Sequence, residues 1–100
     1  MRREGSRVAG RLPDLDVRSA PSRLGHPRVG IIVPRYKHSA VDRNRLKRRL
    51  RELVRTRLLP VMPAVDLVVR VFPSAYGADF DGLAAQIARV RQAFGEGPAT

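Results

Sequence analysis

The chain has no cysteine, few histidines and few acidic residues, and each shortage excludes or limits a class of site. Without cysteine there can be no disulfide, no thiolate zinc site and no thiol nucleophile. The two histidines, His26 and His38, and nine Asp and Glu residues scattered singly leave little material for a metal or acid-base site. We therefore expect no catalytic side chain and no metal ligand in the protein itself.

Long apolar runs are also missing from the sequence. No stretch approaches the ~18 apolar residues that a membrane span needs, and no basic segment leads into an apolar one as in a secretion signal. The sequence therefore predicts a cytoplasmic protein that does not enter a membrane. A length of 100 residues with 43% hydrophobic content predicts one domain over residues 1–100, with a single modest core.

Positive charge, in contrast, is abundant. Lys and Arg number 20 against nine Asp and Glu, which gives a net charge of +11. Self-repulsion on this scale destabilises a folded chain unless a polyanion neutralises it, so nucleic acid is the leading candidate partner and an anionic membrane surface the rival. Only Lys37 and Lys47 are lysines, so 18 of the 20 are Arg, whose planar fork fits phosphate. A G+C-rich coding bias would also produce this excess, and the placement of the charge is therefore more informative than its identity.

Two apolar segments predict strands in the first part of the chain and after its middle. Residues 28–34, RVGIIVP, are β-branched and stop at Pro34, and residues 65–72, VDLVVRVF, are apolar at nearly every position. Because residues 65–72 are apolar at nearly every position, we expect this strand to be covered on both faces. Residues 12–17 predict a weaker strand at a sheet edge because Pro13 interrupts it.

The remaining segments are assigned from composition and spacing. Residues 1–11 are basic and predict an arm or an edge strand, and residues 19–27 are rich in turn formers. Apolar residues recur at spacings of three and four between 79 and 94, which predicts an amphipathic helix there. Residues 95–100 are expected to form a loose tail.

The stretch HSAVDRNRLKRRLRELVR, residues 38–55, holds seven of the 20 basic residues. Ser39 and Asp42 match the S-x-x-D capping pattern and predict a helix from about Ala40 to Pro60. At 100° per residue one arc of roughly 140° is apolar; it holds Leu46, Leu50, Leu53, Val54 and Leu58. The opposite side holds Asn44, Arg45, Arg48, Arg49, Arg51 and Arg55.

This charged side can be a solvated surface or a phosphate-binding one. Most charged helix faces are solvated surfaces stabilised by interleaved acids. Here only Glu52 interrupts the basic run, so pairing along the helix cannot relieve the repulsion. The pattern therefore favours a phosphate-binding face, whose affinity should fall steeply with salt.

The loop before this helix contains two further candidate residues, Tyr36 and His38. Tyr36 stands in a polar loop, where an aromatic ring can either stack on nucleobases or pack against the protein, and the sequence does not decide between the two. His38 lacks a nearby carboxylate other than Asp42, which is needed at the helix start. We therefore expect an exposed loop histidine with no catalytic role.

The segment RVGIIVPRYKHSAVDRNRLKRRLRE, residues 28–52, closely resembles the signature of the bacterial ribonuclease P protein component. In that family an R-V-G strand leads through a basic loop into A-V-x-R-N-R-x-K-R-x-x-R-E. The match is ungapped at Ala40, Val41, Arg43, Asn44, Arg45, Lys47, Arg48, Arg51 and Glu52. The similarity extends from about Gly5 to Phe94, since the last strand and last helix also fall where the family places them.

The resemblance implies a fold and a function. The fold is an α/β (α+β) two-layer sandwich, with a small mixed sheet, a C-terminal helix and an unusual left-handed strand-helix-strand crossover through the R-N-R helix. The function is that of the RNA-binding protein subunit of ribonuclease P, an endoribonuclease that removes the 5′ leader from precursor tRNA and leaves a 5′-phosphomonoester. The partners are the catalytic RNA subunit and precursor tRNA, and no protein partner is implied. Mg²⁺ is held mainly by the RNA, and the RNA carries the catalysis.

The resemblance also assigns candidate RNA-binding residues by motif position. On the helix these are Arg43, Asn44, Arg45, Lys47, Arg48 and Arg51. Arg28, Arg35 and Lys37 would extend that surface before the helix, Arg55 would extend it along the helix, and Tyr36 could add stacking.

Two departures from the family bear on leader binding. The family's N-terminal helix carries Phe residues that help to form the leader cleft, and this chain begins about where that helix ends, so we expect most of that helix to be absent. The family's S-K-K-x-G-like loop is replaced here by Pro34, Arg35, Tyr36, Lys37 and His38. An aromatic thus replaces one basic residue, and the glycine is lost.

Three functional hypotheses follow, and they belong to different classes. The first is the RNA-binding subunit of ribonuclease P. The second is a ribosome-associated or nonspecific nucleic-acid-binding module of the same fold. The third, an autonomous protein nuclease, is disfavoured because the sequence has no paired acids and no histidine constellation.

Overall fold

The computed structural model describes residues 6–95, which form a sheet of four strands and two α-helices. The strands are β1 (Ser6–Arg7), β2 (Leu15–Pro21), β3 (Arg28–Ile32) and β4 (Val65–Val71). The helices are α1 (Ala40–Leu53) and α2 (Phe80–Gly95). This is the small α+β arrangement that the sequence and the resemblance predict.

The sheet is mixed, with strand order β1-β2-β4-β3. β2 pairs antiparallel with both β1 and β4, whereas β3 pairs parallel with β4. Because parallel neighbours need a crossover connection, the chain passes from β3 through α1 before it returns as β4. The left hand of that crossover stays a prediction from the resemblance.

Helix α1 begins where its capping pattern predicts. Ser39 has extended backbone, and its hydroxyl accepts a hydrogen bond from the backbone N–H of Asp42 at 3.1 Å. This bond satisfies one of the N–H groups that have no partner within the first turn of a helix. Asp42 also places a negative charge in that turn, where the helix dipole favours it.

The C-terminal part of this helical segment differs from the single α-helix that the sequence predicts to Pro60. The α-helix is followed by a π-helical turn over Val54–Leu58 and a 3₁₀ turn over Leu59–Val61. The hydroxyl of Thr56 donates to the carbonyl of Glu52 at 2.8 Å, a side-chain bond that competes with the regular helical pattern. Pro60 lies in the first turn of the 3₁₀ segment, where its missing N–H is tolerated.

The expectation that β4 is covered on both faces is wrong. Leu67, Val69 and Val71 are buried, but Val68 and Arg70 on the alternate positions are exposed. The helices therefore cover only one face of the sheet. The apolar character of nearly every residue in this segment hides an ordinary two-residue alternation in which valine occupies a solvent-facing position.

The prediction of an edge strand at residues 12–17 is also wrong. β2 lies between β1 and β4, and the strand continues through residues 19–21, which the sequence assigns to a turn. Pro13 precedes the strand and Pro21 is its last residue, so neither proline interrupts the interior of the ladder. The edge strands are instead β1 and β3, and β1 lies within the segment predicted as an arm or edge strand.

The core lies between the covered face of the sheet and the helices. The apolar arc predicted for α1 is buried throughout, at Leu46, Leu50, Leu53, Val54 and Leu58. Helix α2 contributes Leu83, Ile87 and Val90, so the spacing that predicts this helix also identifies its core side. This packing leaves the rest of α1 to solvent and fixes its orientation on the domain.

Two further observations concern the ends of the chain and membranes. Gly95 is the last residue of α2, and the predicted loose tail beyond it, like residues 1–5 of the predicted arm, lies outside the described residues. Among residues 6–95, neither helix combines the length and the apolar character needed to cross a bilayer.

Candidate nucleic-acid interface

The solvent side of α1 carries a set of arginines without acidic partners. We call Asn44, Arg45, Arg48, Arg49 and Arg51 the arginine face; all five side chains are exposed. Within residues 6–95, no carboxylate oxygen lies within 4.0 Å of a guanidinium nitrogen of these four arginines. Their charge is therefore available to an external anion, as the sequence pattern predicts.

A groove runs along one side of the arginine face, between α1 and the start of α2. It has a volume of about 670 Å³, and we call it the Phe80 groove. Its lining consists of Val41, Asn44, Arg45, Arg48, Arg49, Glu52 and Phe80. The groove combines guanidinium groups with an exposed aromatic ring, which is a lining suited to both the phosphate and the base of a nucleotide.

A second groove follows the other side of α1, facing strand β3. Its basic residues are Lys47, Arg51 and Arg55, and its apolar residues are Val29, Ile31, Val54 and Leu59. Both oxygens of Glu52 accept hydrogen bonds from Nη2 of Arg55, at 2.9 and 3.0 Å. The predicted site residues of this helical segment therefore lie on two sides of it. Asn44, Arg45 and Arg48 line the Phe80 groove, and Lys47, Arg51 and Arg55 line the second groove.

Arg43, the first arginine of the R-N-R motif, is held differently from the others. Its Nε donates to the carbonyl of Val33 at 2.7 Å, and the side chain is half-buried. This bond ties the first turn of α1 to the chain just after β3. Arg43 therefore has a structural task in addition to the RNA contact that the resemblance assigns to it.

The loop between β3 and α1 is anchored by two tyrosines. The hydroxyl of Tyr36 donates to the carbonyl of Val71 at 3.0 Å, and that of Tyr76 donates to the carbonyl of Pro34 at 2.7 Å. Both rings pack against the core, so the structure favours the packing alternative for Tyr36 over base stacking. Burial raises the pKa of Tyr76, because the ionised phenol would lose hydration.

His38 is only partly exposed, whereas the sequence predicts an exposed loop residue. Its ring is half-buried and stacks on the ring of Tyr76, with centroids 3.8 Å apart and planes 3° from parallel. Nδ1 of His38 also lies 3.7 Å from Oδ2 of Asp42. The sequence could not reveal this contact because Tyr76 lies in the 3₁₀ turn Pro73–Gly77, far along the chain.

Arg35 and Lys37 are exposed on the same loop. Nε of Arg35 donates to the carbonyl of His38 at 3.4 Å, which is a long hydrogen bond. Tyr36 and Lys37 have positive φ angles, 49° and 73°, a region that residues other than glycine adopt at a cost. The anchoring bonds of the tyrosines hold the loop in this conformation and keep both cations at the surface.

Arg28 lies apart from the other candidate residues. It is on β3, beside Asp66 of β4, and its Nε and Nη2 each donate to the Asp66 carboxylate at 3.0 Å. The guanidinium holds the pKa of Asp66 below its usual value, chiefly through these hydrogen bonds. Because β3 alternates and Val29 and Ile31 line the groove beside α1, Arg28 points to the open face of the sheet.

The described residues offer no group of three or more His, Cys, Asp and Glu side chains close enough to hold a metal ion. Four residues that line the Phe80 groove are not among the RNA-binding residues assigned from the resemblance: Val41, Arg49, Glu52 and Phe80. Helical periodicity already places Arg49 on the charged side of the helix, although the assignment by motif position omits it. Phe80 could not be added, because its position depends on how α2 packs against α1.

The structure is that of a small α+β protein with a cationic helix exposed on one side. Comparisons with known proteins identify its family. The family model described as Ribonuclease P matches residues 2–95. The ribonuclease P protein component of Acidothermus cellulolyticus is 39% identical over 88 residues, which cover 88% of this chain and 73% of the relative. That of Kocuria rhizophila is 41% identical over 85 residues, 82% of this chain and 71% of the relative.

A solved structure agrees with the sequence relatives. The ribonuclease P protein of Thermotoga maritima, in complex with 1-(4-fluorophenyl)-2-thiourea, superposes with a TM-score of 0.74 at 27% identity. The alignment covers 89% of this chain and 86% of that one. With several other ribonuclease P protein components the match is shorter, between 41% and 47% of the relative's length. The chain belongs to the ribonuclease P protein family.

Proposed function

We propose that this chain is the RNA-binding protein subunit of a cytoplasmic ribonuclease P. In this role it assists a catalytic RNA in cutting the 5′ leader from precursor tRNA, a hydrolysis that leaves a 5′-phosphomonoester. The observation that carries the proposal is the arginine face, where Arg45, Arg48 and Arg49 are exposed and have no carboxylate partner among the described residues. Membership of the ribonuclease P family supports the assignment of RNA as the polyanion.

The contribution of the protein is electrostatic and positional. Guanidinium groups fixed on a rigid helix neutralise RNA phosphates that would otherwise repel one another, and they release condensed counterions on binding. Lower repulsion between the catalytic RNA and its substrate then reduces the Mg²⁺ concentration needed for cleavage. Mg²⁺ is held mainly by the RNA in this proposal, and no protein side chain takes part in bond cleavage.

The remaining candidate residues fit the proposal with different roles. Lys47 and Arg51, on the strand side of α1, extend the surface for the catalytic RNA. Arg35 and Lys37 extend it from the loop before α1, where both are exposed. Arg28 and Arg55 are already paired with Asp66 and Glu52, so each must exchange a carboxylate for a phosphate in order to contribute.

Reconstitution tests the proposal. The protein is mixed with the ribonuclease P RNA encoded by the same genome, and cleavage of a precursor tRNA is measured at limiting Mg²⁺. We expect strong stimulation by the protein, a weaker one by Arg45→Ala, and an unchanged one by Arg89→Ala, which removes an exposed arginine of α2. Absence of stimulation would refute the proposal.

The two other hypotheses predict different results, one in a binding titration and the other in the cleavage assay. A nonspecific nucleic-acid-binding module would bind the ribonuclease P RNA and an unrelated duplex equally well across a salt titration. An autonomous nuclease would cleave precursor tRNA without the RNA subunit. The proposal predicts preference for the ribonuclease P RNA and no cleavage by the protein alone.

A further inference from the structure

Phe80 is a large apolar side chain that the fold leaves in solvent. It is the first residue of α2 and is 40% exposed, whereas Leu83 and Ile87 of the same helix are fully buried. The start of α2 is fixed by Asp79, whose Oδ1 accepts the backbone N–H of Gly82 at 2.7 Å. The ring is therefore attached to a rigid point and contributes little to the core.

The surroundings of Phe80 are strongly cationic. Three arginines of the Phe80 groove, Arg45, Arg48 and Arg49, and one acid, Glu52, give the lining a net charge of +2. The guanidinium of Arg57 lies over the Phe80 ring, 5.9 Å from its centroid. Val41, 64% exposed, adds an apolar wall. An exposed aromatic and an exposed valine thus share one groove with three available cations.

From this lining we infer that the Phe80 groove is a stacking subsite for an unpaired nucleobase of the RNA that α1 binds. The ring of Phe80 provides an aromatic surface for the base, Val41 provides an apolar wall, and the arginines bind the phosphates on either side. This inference rests on the proposed function, because it names a contact made by the same RNA. It goes beyond it by assigning a role to a residue outside the basic motif.

Charge complementarity selects a nucleotide over an apolar protein segment as the occupant. An apolar side chain entering the groove would remove hydration from three guanidinium groups without giving them an acceptor, which is costly. A nucleotide supplies a flat ring and an anionic phosphate together. Stacking does not depend on base identity, since every base has a π-face. The base must be unpaired, because a base within a duplex is already stacked on its neighbours.

Affinity measured over a salt series separates stacking from phosphate binding. The slope of log affinity against log salt reports the number of phosphates neutralised. We expect Phe80→Ala to weaken binding to the ribonuclease P RNA by roughly 5- to 150-fold, the range for loss of one aromatic–base stack, with the slope unchanged. Arg45→Ala and Arg48→Ala should instead make the slope shallower.

Two further variants control for loss of apolar surface and for folding. Phe80→Leu keeps an apolar side chain but removes the aromatic ring, and it should lose most of the affinity that Phe80→Ala loses. Phe72→Ala removes a phenylalanine of matched exposure, 38%, from a different groove, which contains Arg7 and Arg11. This variant should bind the RNA as the original protein does. Thermal melting of each variant checks that it is folded.

Fluorescence tests the contact directly, because the chain has no tryptophan. Phe80→Trp introduces a single reporter in the groove, and Phe72→Trp a single reporter away from it. Addition of the ribonuclease P RNA should quench the emission of the first variant strongly and that of the second weakly, if a base stacks in the groove.

The outcomes distinguish this inference from the proposed function. If the original protein binds the ribonuclease P RNA no better than an unrelated RNA, both are overturned. If it binds specifically but Phe80→Ala retains full affinity, only the stacking subsite is overturned. The same conclusion follows if Phe80→Leu binds like the original protein, if Phe72→Ala loses as much affinity as Phe80→Ala, or if the two tryptophan variants are quenched equally.

Discussion

The ring of His38 lies flat on the ring of Tyr76, with 3.8 Å between their centroids. This stack joins the basic loop before α1 to the turn that precedes α2. The hydroxyl of Tyr76 strengthens the same connection, because it donates to the carbonyl of Pro34 at 2.7 Å. The loop that presents Arg35 and Lys37 is therefore positioned by aromatic side chains, and its conformation should depend on them.

Tyr76→Phe should destabilise the folded protein while leaving the ring stack in place. The change removes one half-buried hydrogen bond and leaves the Pro34 carbonyl without that donor, at a cost of about 1 kcal/mol in the free energy of unfolding. For a domain of this size the melting temperature should fall by roughly 4–8 °C. Tyr76→Leu, which also removes the stack on His38, should lower it further. Equal melting temperatures for all three proteins would show that these contacts do not anchor the loop.

Asp66→Asn should lower stability at neutral pH and have little effect in acid. The pKa of Asp66 is depressed in the folded state, so its ionised form contributes stability above the unfolded pKa of about 3.9. That contribution is lost as the pH falls through the folded pKa of Asp66. Urea unfolding at a series of pH values should show the difference between the original protein and the variant narrowing below about pH 4.

The Arg28→Gln background supplies the control for this pH dependence. Arg28 donates both hydrogen bonds that depress the pKa of Asp66, so in its absence the acid-dependent effect of Asp66→Asn should become much smaller, with only the weaker influence of His26 remaining. A pH-dependent difference of unchanged size in that background would assign the effect to another partner.

Sulfate should stabilise the protein through the arginine face. With a net charge of +11, the folded chain repels itself, and an anion that binds the folded state raises its melting temperature by mass action. Sulfate also acts generally on protein hydration, so the comparison is with the triple variant Arg45→Ala, Arg48→Ala, Arg49→Ala. We expect a smaller increase per unit sulfate in that variant. Sodium chloride at matched ionic strength serves as the reference. Equal increases in the melting temperatures of the two proteins would contradict specific anion binding at the arginine face.

The sequence predicts the elements that repeat a simple period, and it fails where one residue breaks the pattern. Leu46, Leu50 and Leu53 identify the buried side of α1, and the opposite arginines follow from the same geometry. In β4 the exposed Val68 is chemically like its buried neighbours, so hydrophobicity alone could not reveal which face is open. Pro13 indicates an edge strand only if the strand includes residue 13. β2 begins at Leu15, and Pro13 therefore lies before it.

In the candidate site, features of a single helix could be predicted from the sequence, whereas contacts between distant segments could not. The arginine face depends on one helix, and its residues could be identified from spacing within the motif. The anchoring of Tyr36 on Val71 and the approach of Phe80 to α1 depend on packing between segments that are distant in the sequence. Such contacts carry no local periodic signal, and only the folded arrangement reveals them.

The central claim is that the exposed arginines of α1 bind RNA phosphates, and the salt dependence of RNA affinity measures this most directly. Dissociation constants for the ribonuclease P RNA are determined over a salt series for the original protein, Arg45→Ala, Arg48→Ala and Arg89→Ala. We predict that each change on α1 makes the slope of log affinity against log salt shallower by about one, while Arg89→Ala leaves it unchanged. Equal slopes for all four proteins would contradict the claim.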